Sequence, residues 1–122
     1  MTVKELNPHG YQTNEFQKAA LEKLAKSVTR IEEACGRKFI VTSGFRTLED
    51  QLRINPANKN SAHRTGEAVD LSDVDGSIYA FCLDNVPLLI ELEIYLECRT
   101  YTNRWIHMQN RRPRSGNRIF IP

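Results

Sequence analysis

The sequence contains no long hydrophobic run. Its longest apolar stretch, Val86 to Ile90, falls far short of the roughly 20 residues that a transmembrane helix needs. Residues 1–9 also lack the apolar segment of a signal peptide. We therefore expect no membrane partner and a cytoplasmic location as synthesised, so that any action outside the cell depends on release or delivery.

Cysteine is scarce and unpaired. The chain has three cysteines, Cys35, Cys82 and Cys98, with no Cys-x-x-Cys pair among them. An odd number without such a pair excludes a disulfide framework and a thiolate zinc site. We interpret the three as small buried or half-buried hydrophobic residues in a reducing compartment.

Negative charge is absent from the C-terminal part of the chain. From Arg99 onward there are six arginines and no acid, whereas residues 1–98 carry 11 basic and 15 acidic groups. A basic tail can serve nucleic acid, anionic cell-wall polymers or only a solvated edge. Because the net charge of the whole chain is only +2, we expect no nucleic-acid partner.

The clearest structural signal is a long amphipathic helix in the N-terminal third. Asn14 and Gln17 form a capping-box pattern, and Gly36 follows the last apolar position as a C-terminal cap. Apolar residues recur between them at intervals of three and four, which is typical of one helix face. They are Phe16, Ala19, Ala20, Leu24, Val28, Ile31 and Cys35.

The rest of the chain predicts short elements. Strands are expected at 39–42, 67–71, 93–98 and 105–109, with an edge strand at 118–121. Short helices are expected from a Thr47 cap to Arg53, over 77–83 and over 87–92. One long helix followed by short strands indicates an α+β fold with an antiparallel sheet. A chain of 122 residues without repeats has room for one modest core, so residues 1–122 are predicted to form a single domain.

The first candidate metal ligands lie between Ser61 and Asp70. His63 falls in a predicted loop, Gly66 permits a sharp turn, and Asp70 lies near the end of the following strand. A carboxylate in that position can return to a histidine held before the turn. A surface histidine and a turn-capping aspartate explain the spacing nearly as well, so this segment alone is weak support for a metal site.

The second candidate histidine lies in a predicted strand. If the apolar residues of strands 93–98 and 105–109 face the core, then His107, Gln109 and Glu97 face the opposite side of the sheet. Paired neighbours on one face lie roughly 4.5–8 Å apart. Strand parity therefore predicts a glutamate beside His107, and the alternative is an exposed glutamate at a strand end.

Two histidines, an aspartate and a nearby glutamate are the minimal groups of a hydrolytic zinc site. Three protein ligands leave a fourth position for water, whose pKa zinc lowers toward about 7. A glutamate that is not a ligand then takes the water's proton and passes it to the leaving amine.

Three ordered motifs run through these residues. Residues 43–46 read Ser-Gly-Phe-Arg, residues 61–70 fit S-x-H-x-x-G-x-A-x-D at every specified position, and residues 105–107 read Trp-Ile-His. The motifs resemble those of the zinc D-Ala-D-Ala carboxypeptidase / L-alanyl-D-glutamate endopeptidase family. The resemblance covers nearly all of the chain and implies a hedgehog/DD-peptidase-like fold, in which a long N-terminal helix packs on a small antiparallel sheet with short helices.

The resemblance also implies roles for individual residues. One Zn²⁺ per chain would be bound by His63, Asp70 and His107. Arg46 would hold a substrate carboxylate or the developing oxyanion, for which the arginine fork is suited. Ser61 would pack or hydrogen-bond near the site, either toward substrate or in a purely structural role.

One position departs from the pattern of many members of that family. They carry the catalytic glutamate three residues before the last histidine, where this chain has Arg104, which cannot act as a base. Other members carry it at the end of the preceding strand, which fits Glu97, with Glu93 or Glu91 as weaker candidates. If none of these serves, the chain is a non-catalytic zinc-binding module, for instance a virion or wall-interaction component.

The activity that the resemblance implies is hydrolysis of a peptide bond in peptidoglycan stem peptides. The enzyme would be a metallopeptidase of carboxypeptidase or endopeptidase type, similar to small phage endolysins or bacterial cell-wall enzymes, and we expect a monomer. The stem-peptide bond, exo or endo attack, and a phage or bacterial origin stay open.

Overall fold

The computed structural model describes residues 1–122 and shows an α+β architecture. A five-stranded sheet is accompanied by five α-helices and two 3₁₀ turns at Ala62–Thr65 and Arg99–Tyr101. The helices are α1 (Val3–Leu6), α2 (Glu15–Cys35), α3 (Leu48–Ile54), α4 (Ser77–Leu83) and α5 (Val86–Glu91). The strands are β1 (Val41–Ser43), β2 (Ala68–Ser72), β3 (Tyr95–Glu97), β4 (Trp105–Gln109) and β5 (Ile119–Phe120). None of the helices combines the length and the apolar character needed to cross a membrane.

The long helix α2 has the ends that the sequence predicts. The Asn14 side chain accepts from the backbone N–H of Gln17, and the Gln17 side chain accepts from the backbone N–H of Asn14. Gly36 ends the helix at φ 77°. Phe16, expected on the buried face, is 63% exposed. The reason is that the first turns of α2 approach Gly66 through Gln17 and Leu21, which turns Phe16 outward.

The sheet has the strand order β1-β2-β4-β3-β5. The first four strands in this order pair antiparallel, as predicted, but β5 pairs parallel to β3. The difference follows from the connection, because the chain leaves β4, reverses over residues 110–118 and reaches the free edge of β3. A strand that arrives there runs opposite to β4 and therefore parallel to β3.

Two of the predicted strands begin later in the chain than expected. The first strand begins at Val41 rather than Phe39, because Phe39 is buried in the core and its backbone N–H donates to Glu32 Oε2 at 2.8 Å. The third begins at Tyr95, because Glu93 has φ 57° and cannot continue a ladder. The short helix α1 and the 3₁₀ turn around His63 were not expected.

The core lies on one face of the sheet. Inward residues of β2, β3 and β4 form one hydrophobic cluster with the inner faces of α2, α4 and α5. They include Val69, Leu71, Leu96, Ile106 and Met108, each 0% exposed. Because side chains alternate along a strand, Asp70, Glu97 and His107 lie on the opposite face, where the chemistry-bearing residues collect.

Candidate metal centre

The turn that carries His63 is fixed by its own sequence. The Ser61 hydroxyl accepts from the backbone N–H of His63 at 3.3 Å, and Gly66 ends the turn at φ 79°. A side chain at Gly66 would place its Cβ 2.9 Å from both Gln17 O and Leu21 Cγ on α2. Glycine is therefore required twice, for its backbone conformation and for the close approach to the helix.

The His63 ring is held by the segment that follows β1. Its Nδ1 lies 2.9 Å from the carbonyl oxygen of Gly44, so Nδ1–H donates there and Nε2 is free to act as a ligand. Nε2 lies 3.4 Å from Asp70 Oδ1. Because His63 is only 3% exposed, burial lowers the pKa of its imidazole, which favours the neutral form that binds metals.

Asp70 and His107 face each other across β2 and β4. They are direct partners in the antiparallel register, and His107 Nδ1 lies 2.8 Å from Asp70 Oδ1. The two imidazole rings have centroids 5.2 Å apart. One ligand atom from each of His63, Asp70 and His107 lies within 4.8 Å of the others, so the three could hold one metal ion.

The second nitrogen of His107 also has a partner. Its Nε2 lies 2.7 Å from Gln109 Oε1, and the Gln109 amide nitrogen donates to the carbonyl oxygen of Arg111 at 2.7 Å. The sequence pattern puts Gln109 on the same strand face as His107 but gives no sign of this contact. Each histidine thus has one nitrogen bonded to an acceptor outside the centre and one directed into it.

Asp70 is kept ionised by its neighbours. Burial alone would raise the pKa of its carboxyl, but the hydrogen bond from His107 and the nearby His63 imidazole hold it well below the ordinary range. The guanidinium of Arg46 lies near the second oxygen, with Nη2 3.6 Å from Oδ2. A buried carboxylate in this state has the charge that a metal ligand needs.

Glu97 ends β3 beside this cluster. The β3–β4 register pairs Leu96 with Met108, and its continuation by one residue brings Glu97 opposite His107. Burial raises the pKa of the Glu97 carboxyl, and the charge of Asp70 adds to this while His107 opposes it. A carboxyl with a raised pKa next to a metal centre is suited to take up and release a proton.

The other carboxylates that were considered lie elsewhere. Glu93 forms an ion pair with Lys23 at 2.5 Å, and Glu91 lies 3.7 Å from Arg30, in both cases on the exposed side of α2. Arg104, in the position where many family members carry a glutamate, is exposed. Of the candidate bases, the structure brings only Glu97 to the histidines.

Arg46 connects the centre to a neighbouring cavity. Its Nε and Nη2 donate to Ser43 Oγ at 3.1 and 2.9 Å, and its Nη1 donates to Gln51 Oε1 at 3.0 Å. Desolvation lowers the pKa of its guanidinium, although Asp70 opposes the shift. The cavity, about 670 Å³, is lined by Arg46 together with residues such as His9, Tyr11 and Arg53. The three candidate metal ligands do not line it, but Arg46 and Gly44 border both regions.

Ser61 contacts the centre only through the backbone N–H of His63. It is 8% exposed, and its hydroxyl accepts from the His63 N–H at the start of the 3₁₀ turn. This contact shapes the His63 turn and leaves little of the hydroxyl open to solvent.

One comparison with known proteins identifies a family for the chain. The family model described as Peptidase M15 matches residues 1–109, which is most of the 122-residue chain. The chain therefore belongs to the Peptidase M15 family, the family of zinc D-Ala-D-Ala carboxypeptidases, and this supports its assignment as a metallopeptidase. No curated protein and no solved structure gives a significant match.

The donor set fits the zinc ion that this family uses. Two imidazole nitrogens and one carboxylate oxygen are typical of a catalytic zinc site, in which three protein ligands leave a fourth position open. None of the three cysteines belongs to the cluster, and burial raises the pKa of the Cys82 thiol to about 12. The centre therefore offers nitrogen and oxygen ligands without thiolate.

Proposed function

We propose that the chain is a zinc-dependent peptidase that hydrolyses a peptide bond in peptidoglycan stem peptides. The observation that carries the proposal is the convergence of His63, Asp70 and His107 on one point, with Glu97 alongside. We also propose that residues 1–122 form one peptidase domain of the hedgehog/DD-peptidase type. The long helix α2 on one face of the sheet and the polar cluster on the other support this.

His63 Nε2, one ring nitrogen of His107 and an Asp70 oxygen would hold the zinc. Bound there, zinc would act as a Lewis acid that polarises the scissile carbonyl and makes a water molecule more acidic. Gly44 keeps the His63 imidazole in the required tautomer, and the charge of Asp70 offsets part of the charge of the cation.

Glu97 would move the proton. Its carboxylate accepts a proton from the attacking water and donates it to the leaving amine when the peptide bond breaks, so one residue acts as base and then as acid. Its raised pKa supports the second step, because a carboxyl that retains a proton more readily can deliver it near neutral pH.

Arg46 would hold negative charge on the substrate. It lies between Asp70 and the cavity, so a substrate carboxylate in the cavity or the oxyanion at the scissile carbon would lie within its reach. Ser61 would then act in substrate binding through the shape of the His63 turn. Substrate would be met at the cell wall after release of the protein.

The test is digestion of purified muropeptides with zinc-loaded protein, followed by mass spectrometry of the products. The wild type should release D-alanine or a cleaved stem peptide. Glu97→Gln should lose about 10²–10⁴-fold in rate while it still binds one zinc per chain. Glu93→Gln is the matched control and should keep wild-type activity, because Glu93 faces Lys23 on α2.

Two outcomes would contradict the proposal. If the zinc-loaded wild type cleaves no muropeptide, the chain is a binding module and not a peptidase. If Glu97→Gln keeps full activity, the proton is carried by another group.

A further inference from the structure

The side chain of Gln109 joins the candidate metal centre to the segment that follows β4. Its Oε1 lies 2.7 Å from His107 Nε2, and its Nε2 lies 2.7 Å from the carbonyl oxygen of Arg111. Gln109 is 7% exposed, so water cannot readily replace either partner.

These two contacts determine which way the amide points. An amide nitrogen donates and an amide oxygen accepts, and the carbonyl of Arg111 can only accept. The nitrogen of Gln109 must therefore face Arg111, which turns its oxygen toward His107. An oxygen in that position accepts from Nε2–H, so the ring atom left for a metal is Nδ1, which faces Asp70 and would give up its proton when the metal binds.

Arg111, whose carbonyl oxygen accepts from Gln109, also contacts the segment that carries His63. Its guanidinium donates to Asn60 O at 2.5 Å, to Thr65 Oγ1 at 2.8 Å and to Glu67 Oε1 at 3.2 Å. These three acceptors flank or lie within the turn that carries His63. The segment after β4 is thus tied to both histidines, to His107 through Gln109 and to the His63 turn through Arg111.

We propose that Gln109 is a positioning residue that presents Nδ1 of His107 to the metal, and that Arg111 sets its position relative to the His63 turn. The inference rests on the proposed metal centre and goes beyond it, since it assigns the metal-binding nitrogen of His107 and the residue that selects it. Outer hydrogen bonds of this kind typically affect metal affinity by 10–100-fold.

The test measures zinc affinity by competition with a chelating dye. Gln109→Leu removes both contacts and should raise the zinc Kd by about 10–100-fold. Gln109→Glu keeps an oxygen that accepts from Nε2–H but loses the donor to the Arg111 carbonyl, so it should weaken zinc binding less than Gln109→Leu does. Gln12→Leu is the matched control, because Gln12 is exposed and makes no side-chain hydrogen bond, and its Kd should be unchanged.

Nitrogen NMR of the zinc-loaded protein provides a readout that a purely structural role would not change. In the wild type and in Gln109→Glu, His107 should show a protected Nε2–H and a metal-shifted Nδ1. In Gln109→Leu that proton should exchange with solvent at least 10-fold faster. Circular dichroism of each metal-free variant separates these effects from unfolding, and Arg111→Lys provides a second, milder perturbation if Gln109→Leu fails to fold.

The outcomes separate this inference from the proposed function. Wild-type protein that binds zinc, together with Gln109→Leu of equal affinity, would overturn the role of Gln109 and leave the peptidase proposal intact. A spectrum that shows zinc on Nε2 of His107 would overturn it as well. A wild type that binds no zinc would contradict the proposed function itself.

Discussion

Asp70 and Asp73 are two buried aspartates, three residues apart, with opposite kinds of partner. Asp73 is 1% exposed, and its carboxylate accepts from the backbone N–H groups of Ile78 and Tyr79 and from the guanidinium of Arg99. It caps helix α4 and is fully satisfied. Asp70 is 8% exposed and faces the ring nitrogens of two histidines.

The comparison shows that burial alone does not distinguish a functional carboxylate from a structural one. The partners of Asp73 are backbone groups and one arginine, which are always donors and leave no room for another ligand. The nearest partners of Asp70 are two imidazole nitrogens, which can each bind a proton or a metal, while Arg46 lies farther away at 3.6 Å. A carboxylate whose two nearest partners can themselves be ligands is placed to share a metal ion with them.

The largest expected effect comes from removing the charge of Asp70. Asp70→Asn should abolish stoichiometric zinc binding and lower peptidase activity at least about 10³-fold, because the centre loses its only anionic ligand. Dialysis against zinc followed by elemental analysis measures the first effect. A variant that still holds one zinc per chain would remove Asp70 from the ligand set.

The same substitution at Asp73 should lower the stability of the fold and leave zinc binding unchanged. Asp73→Asn weakens the helix cap and leaves Arg99 without its carboxylate, which should cost about 2–3 kcal/mol of unfolding free energy. Urea denaturation measures this, and zinc stoichiometry should stay at one per chain. Loss of zinc from folded Asp73→Asn would show that the two aspartates do not act separately.

The smallest expected effect is a pH dependence of opposite sign at Asp70 and Glu97 in metal-free protein. The pKa of Asp70 is lowered, so its ionised form stabilises the fold at neutral pH, and this stability is lost as the pH falls below the ordinary value near 3.9. The pKa of Glu97 is raised, so the folded state binds more protons than the unfolded state above about pH 4.3, and stability falls as the pH rises.

Glu97→Gln isolates the part of the pH dependence that is due to Glu97. In the presence of a chelator, the unfolding free energy of the variant minus that of the wild type should be larger at pH 7 than at pH 4. Urea denaturation at the two pH values measures the difference, with Glu93→Gln as the control, since interaction with Lys23 lowers the pKa of Glu93. A relative stability that moves the other way would mean that Glu97 is not held in a desolvating environment.

Much of the architecture follows from local patterns in the sequence. The capping box of α2, the Thr47 cap of α3 and the alternation in β4 each depend on residues a few positions apart, and the structure confirms them. The α+β class and the antiparallel pairing among the first four strands of the chain follow from the same patterns. The start of β1 could not be predicted, because it depends on the contact of Phe39 with Glu32. The direction of β5 could not be predicted either, because it depends on the chain reaching the free edge of β3.

The candidate site shows the same division. Strand parity places Glu97 and His107 on one face, and the motifs place His63 and Asp70 in their order, but no local pattern pairs Gly44 with His63. Gln109 was on the right face of its strand, yet its bond to His107 depends on Arg111, whose position is set by Asn60 and Thr65, 51 and 46 residues earlier in the chain. Contacts of this range are a property of the packed fold.

The central claim is that two imidazoles and one carboxylate bind a single zinc ion, and zinc K-edge X-ray absorption of the loaded protein tests it most directly. Two nitrogen ligands are expected at about 2.0–2.1 Å and oxygen ligands at about 2.0–2.2 Å, with no sulfur. A sulfur ligand near 2.3 Å from any of the three cysteines, or a zinc ion without histidine ligands, would contradict it.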